Sequence, residues 1–121
     1  MADPVYFTVD GPPVPKGRPR IVKGHTYTPP RTKAYEAAVG YAALAARTWD
    51  APTDKPVSVV AWFYMPNRRR VDIDNLIKAL FDGMQGSLLV DDGQVVDVEA
   101  HKFLDRDNPR AEVRVREVVV T

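Results

Sequence analysis

The stretch from Val57 to Met65 constrains the fold more than any other. Both of its alternating sets are apolar, with Val57, Val59, Ala61, Phe63 and Met65 on one side and Val60, Trp62 and Tyr64 on the other. That is the pattern of an interior strand covered on both faces. Such a strand needs partners along both edges, so the rest of the chain has to supply a sheet around it. Pro66, which cannot continue a ladder, ends it.

The partners can be read on either side. Val5 to Val9 alternates Val, Phe, Val with Tyr6 and Thr8, the period of a short strand. Asp10 to Arg20 is too rich in Pro and Gly for helix or central strand, and reads as an extended basic loop reaching to about Pro30. Thr32 can cap a helix whose face carries Tyr35, Val39, Ala42, Ala43, Ala46 and Trp49, with Pro52 marking its end. A second helix is expected from about Asp74 to Gln85, burying Leu76, Ile77, Leu80, Phe81 and Met84 and stopping at Gly86. The Asp91-Asp92-Gly93 turn then leads into a strand from Gln94 to Phe103. Ala111 to Glu117 alternates cleanly and is expected to pair with that strand as a hairpin, with Arg114 and Arg116 turned to water. The order β-α-β-α-β-β makes this an α+β chain, a mixed sheet with two helices, and 121 residues suffice for a single domain over residues 1–121.

Composition removes several classes. With 45% hydrophobic residues and no uncharged stretch near the roughly 18 to 20 residues that span a bilayer, neither a membrane protein nor a disordered chain is expected. The absence of cysteine excludes disulfides, thiolate zinc sites and a thiol nucleophile. Met1-Ala2-Asp3-Pro4 lacks the basic and apolar regions of a signal peptide, so the cytoplasm is the expected location. The formal net charge of +1 hides a segregation. Residues 71–99 carry −6 and the remainder +7, with Lys16, Arg18, Arg20, Lys23, Arg31 and Lys33 in one acid-free segment and Arg68-Arg69-Arg70 in a run. A basic body around an acidic patch suits a protein that grips a polyanion and holds a divalent metal beside it.

The chemistry concentrates in Arg68-Arg69-Arg70-Val71-Asp72-Ile73-Asp74-Asn75-Leu76-Ile77-Lys78. Asp72 and Asp74 lie where loop becomes helix, so residues two apart can point the same way and share one hard cation. Lys78 and Asp82 follow Asp74 at helical spacing on the same face. The ordinary reading is an Asp74 N-cap followed by surface ion pairs. A second acidic pair, Asp91-Asp92, can complete a site begun on the helix, or can simply be an Asp-Gly turn. Clustered carboxylates repel unless a cation neutralises them, and an all-oxygen donor set points to magnesium or manganese. His25 and His101 read as surface or DNA-facing residues, Asp82 as a partner of Lys78, and Asp97 with Glu99 as the solvated side of a strand. No Ser-His-Asp set, phosphate loop or nucleotide fingerprint is present, so no nucleotide cofactor is expected.

The run from Met65 to Asp82, followed by Val90-Asp-Asp-Gly-Gln-Val-Val-Asp97, resembles the core of the RusA family of Holliday junction resolvases. Pro13 to Arg20 and Tyr27-Thr-Pro-Pro30 are similar to the N-terminal part of its phage and prophage members, although Val71 stands where some members carry a fourth arginine. The resemblance implies a magnesium-dependent endodeoxyribonuclease that acts as a homodimer on four-way DNA junctions in recombination and repair. By motif it implies that Asp72, Asp74 and Asp92 are essential carboxylates and metal ligands, ahead of Asp91, and that Lys78 is the essential cation. Lys16, Arg18, Arg20, Arg68, Arg69 and Arg70 would then hold the DNA arms through phosphates. Two other readings stay open: a module that binds branched DNA without cutting it, and a metal-dependent nuclease or phosphatase with another substrate.

Overall fold

In the computed structural model, which describes residues 3–18 and 20–119, the elements run β1 (Val5–Asp10), β2 (Arg20–Val22), β3 (His25–Tyr27), α1 (Pro30–Ala46), β4 (Val57–Met65), α2 (Ile73–Met84), β5 (Val95–Leu104) and β6 (Arg110–Glu117). Met1, Ala2 and Pro19, parts of the N-terminal and loop readings above, lie outside the described residues, as does the side chain of Arg20. The α+β class and the two helices are as the sequence implies. The addition is a short antiparallel hairpin, β2 with β3, inside the segment read as loop; the left-handed Lys23 and Gly24 make its turn.

The main sheet has the order β1-β6-β4-β5, with β4 interior as its double apolar pattern requires. β6 runs antiparallel to both β1 and β4, whereas β5 lies parallel to β4. The expected hairpin of β5 with the closing strand therefore does not form. β4 is inserted between them, because the strand with two apolar faces takes an interior slot with β6 on one side and β5 on the other. The Asp105 N–H donates to the Met65 carbonyl at 2.8 Å, tying the connection across the end of β4. Both helices cover one face of the sheet, where Val5, Phe7, Val9, Val57, Val59, Phe63, Val113 and Val115 meet Tyr35, Val39, Leu76, Leu80 and Met84 in one core. No helix among the described residues covers the second face. Trp62 and Tyr64 remain partly exposed there, although Ser58 and Val60 of the same face are buried, so that face is incompletely covered by the described residues.

Helix α1 starts two residues before Thr32, with Pro29 at the cap position and Pro30 in the first turn, where a missing N–H is harmless. Thr32 is buried and its hydroxyl instead accepts the Gly17 N–H at 3.1 Å. Helix α2 buries Leu76, Ala79, Leu80, Gly83 and Met84, and left-handed Gly86 follows its end. The helices approach closely at Gly83, where a Cβ would lie 2.6 Å from the Val39 Cβ and 2.9 Å from the Glu36 carbonyl oxygen. Gly to Ala inside a helix normally stabilises by up to about 1 kcal/mol. Here Gly83→Ala is expected to destabilise by about 1–3 kcal/mol through overpacking. Urea denaturation reads the sign, and a stabilised variant would contradict the close approach.

Candidate active site

Two of the candidate carboxylates lie where α2 begins. Asp72 occupies its N-cap position with extended backbone, yet its carboxylate makes no capping hydrogen bond. Asp74, in the first turn, accepts the Asn75 N–H at 2.9 Å and is exposed. Asp74 is therefore not the N-cap of the ordinary reading, and the Asp72 carboxylate, at the N-cap position without a capping bond, stays available for a ligand.

Asp91 and Asp92 part company. The turn Asp92–Gln94 is a single 3-10 turn capped by Asp91, whose carboxylate accepts the Gly93 N–H at 2.9 Å while the Gln94 side-chain oxygen accepts the N–H groups of Val90 and Asp91. Asp91 is thus used to build the turn. Asp92 faces α2 instead, where its Oδ2 accepts from Lys78 Nζ at 3.1 Å.

Lys78 is also 3.0 Å from Asp82, as the helical spacing implies. Asp82 in turn receives Lys16 at 2.9 Å, and Lys16 reaches Glu36 on α1 at 2.6 Å. A chain of alternating charge, Glu36, Lys16, Asp82, Lys78, Asp92, thereby links both helices and the β5 turn. The ammonium of Lys16, expected among phosphate-holding cations, is directed into this network, and its backbone N–H donates to the Asn75 carbonyl at 2.9 Å.

Hydrogen bonds that Lys78 donates to Asp82 and Asp92 hold it above the ordinary lysine pKa. Burial by itself lowers Lys16, and its bonds to Glu36 and Asp82 outweigh that, for a net rise. For Asp82, burial pushes the carboxyl up, but Lys16 and Lys78 together bring it below the ordinary carboxylate value. A carboxyl depressed on folding contributes stability that is present above its unfolded pKa, about 4, and is lost as pH falls through the lower folded value. Wild type is accordingly expected to melt above Asp82→Asn at pH 7, with the gap closing as pH falls below about 4. A gap that stays constant down to pH 2 would contradict the pairing.

Two adjoining depressions form a trough along the α2 start. One is lined by Pro15, Lys16, Arg70, Val71, Asp72 and Asn75; the next includes Arg31, Arg69 and Arg70, with Pro12, Pro13 and Pro66 as walls. The proline-rich segment is held against the helices by the bonds of Lys16 and Gly17 already described, and a Cβ at Gly17 would lie 2.9 Å from the Thr32 hydroxyl. Arg69 and Arg70 thus reach the trough, whereas Arg18 and Arg68 are exposed outside these two linings. Arg31 belongs to the acid-free basic segment, and only the fold brings it beside Arg69. His101 stacks between Trp62 and Phe103 on the sheet, beside Glu99 at 2.9 Å, and His25 is exposed on β3.

The carboxylates fit a hard cation in kind. Among the described residues no three His, Asp or Glu side chains already converge as a ligand group. Magnesium, however, commonly takes one or two carboxylates and completes its shell with water and substrate phosphate. An aspartate with no cap bond at the end of a basic trough meets that requirement.

Comparison with known proteins gives the family. A family model described as "Endodeoxyribonuclease RusA" matches residues 10–116. The chain is 33% identical to "Uncharacterized protein YqaN" of Bacillus subtilis, covering 96% of this chain and 98% of that protein. It is 32% identical to "Crossover junction endodeoxyribonuclease RusA" of Escherichia coli K12, over 93% of each chain, and 30% identical to the Aquifex aeolicus protein of the same name, over 86% and 84%. No helix among the described residues is long and apolar enough to cross a membrane.

Proposed function

The chain belongs to the RusA family of endodeoxyribonucleases, and from that premise we propose that it resolves four-way DNA junctions by metal-dependent, symmetric phosphodiester hydrolysis, in recombination and repair. The observation that carries the reading is the basic trough ending at Asp72, nearly two helical turns before Lys78 and its partner Asp92.

Asp72, Asp74 and Asp92 would hold magnesium, or manganese in its place. When bound, the ion would supply a water of lowered pKa and polarise the phosphate. Arg69, Arg70 and Arg31 bring a strand along the trough through its phosphates, with Arg18 and Arg68 extending the grip outside it and Arg20 a further phosphate-holding cation by its sequence. Such contacts position the backbone without reading bases. Lys78, a compact cation fixed by two aspartates, faces the charge that develops on the phosphate or the leaving oxygen. Asp82 and Lys16 orient Lys78 rather than touching substrate. A domain of this size carries one such site, and two matched cuts across a nearly two-fold junction call for a two-fold pair of chains.

The test is cleavage of a labelled mobile four-way junction with and without magnesium, beside duplex, flap and single-stranded DNA of the same sequence. Magnesium-dependent, paired cuts restricted to the junction are expected. Equal cutting of duplex or flap would overturn junction specificity, and binding without cleavage would reduce the protein to a junction-binding module.

A further inference from the structure

Gln94 has no part in the reaction proposed above, yet every hydrogen-bonding site of its side chain is engaged by backbone. Its Oε1 accepts the N–H groups of Val90 and Asp91, both at 2.8 Å. Its Nε2 donates to the carbonyls of Thr53 and Lys55, at 2.8 and 2.9 Å. A primary amide has two acceptor sites and two donors, so all four are used. The partners also fix which end is which, with two N–H groups at one and two carbonyls at the other.

The two ends have different consequences. The acceptor end closes the 3-10 turn locally, completing the capping box with Asp91. The donor end reaches 41 and 39 residues back along the chain, to a segment that is itself anchored. Thr53 is buried there, its hydroxyl donates to the buried Glu117 of β6 at 2.7 Å, and its N–H donates to the Leu88 carbonyl at 2.8 Å. A turn that had only to close on itself would not need this second attachment. Its effect is to fix Asp92, at the head of the turn, against the core of the domain. The bond from Lys78 could not do this by itself, since that ion pair is exposed and such pairs hold weakly.

We infer that Gln94 is a positioning residue, whose tether to residues 53–55 sets where the Asp92 carboxylate stands toward Lys78 and toward a divalent cation. The inference rests on the metal-dependent reading above. Magnesium tolerates only a narrow range of oxygen positions, so a carboxylate carried on a loose turn holds it poorly. Loss of a group that orients a metal ligand from behind typically costs about 10- to 100-fold in metal affinity or activity. Gln94 is not itself a ligand, because its oxygen is already engaged by two N–H groups.

Binding of manganese alone to the full chain, followed by loss of the free-ion signal in electron paramagnetic resonance, tests this without DNA or turnover. Gln94→Met keeps the reach of the side chain and removes all four bonds at no change of charge. Gln94→Glu keeps the acceptor end and sets an oxygen against the two carbonyls. Each is expected to raise the manganese dissociation constant about 10-fold or more. For Gln94→Glu that loss runs against the added negative charge, which alone would tighten binding. Val113→Ala, a truncation of the buried core on β6, should lower the melting temperature without moving manganese affinity, and so separates placement of Asp92 from general stability. Gln94 variants that bind manganese as wild type does, or a Gln94→Glu that binds it more tightly, would overturn the role of Gln94 and leave the metal site standing. An equal loss in Val113→Ala would overturn it too, because affinity would then follow stability. A wild type that does not bind manganese at millimolar concentration would overturn the metal site and the positioning together. The expected losses in a protein that cuts no junction would leave the positioning standing and sink the nuclease reading alone.

Discussion

Asp74→Asn is expected to abolish junction cleavage while leaving junction binding intact or stronger, and Asp72→Asn to behave alike. The substitution preserves shape. The Asp74 Oδ1 accepts the Asn75 N–H, which an amide oxygen accepts equally well, and the Asp72 carboxylate makes no capping bond that could be lost. What changes is one negative charge beside a trough lined by Lys16 and Arg70. Its removal weakens the hold on a divalent cation and lessens repulsion of the DNA backbone, so rate and affinity should move in opposite directions. A loss of at least about 10³-fold in single-turnover rate, about 4 kcal/mol of transition-state stabilisation, is the expected scale. Junction cleavage under single-turnover conditions, with gel-shift affinity measured in calcium, separates the two effects. Retained cleavage in both variants would remove the carboxylates from the reaction.

The sequence pattern revealed the parts of the fold whose cause is local. Val5, Phe7 and Val9 alternate because one face of β1 is buried, and Leu76, Leu80 and Met84 recur because one stripe of α2 is. Val57 to Met65 announced an interior strand by being apolar on both sides. The order of its neighbours was not legible in the same way. Adjacent strands pair by default, and β5 with β6 looked like a hairpin; only the competition for both edges of β4 separates them. The β2–β3 hairpin escaped notice because it is short and exposed, with no buried face to impose a pattern.

The candidate site divides similarly. The spacing of Asp74, Lys78 and Asp82 is a helix-surface property, and the structure keeps Lys78 on Asp82. The junction of Lys16 with Asp82 spans the chain, and nothing in a basic, proline-rich stretch signals that one of its lysines turns inward. The roles of Asp91 and Asp92, equivalent as letters, separate only in three dimensions. One closes the capping box of a short turn and the other meets α2.

Lys78 gives the second large effect. Its side chain is 52% exposed and its ammonium is held 3.0 Å from Asp82 and 3.1 Å from Asp92, so it is fixed in direction while remaining open to substrate. Lys78→Ala should leave the fold intact, because exposed ion pairs contribute only about 0–1 kcal/mol each. Removing a positioned charge that acts where negative charge develops costs about 10²–10³-fold in rate when the group serves the transition state. Junction affinity should fall only a few-fold, since many other phosphate contacts remain. Lys78→Arg is expected to restore little, because a planar guanidinium presents its charge over a wider fork and does not fit between two aspartates placed for an ammonium. The measurement is single-turnover cleavage at saturating enzyme, with melting temperature as the folding control. A melting temperature near wild type with an unchanged cleavage rate would show that Lys78 merely staples the Asp92 turn to α2. A rate loss that saturating enzyme repairs would assign it to binding and leave the leaving-group charge to another residue.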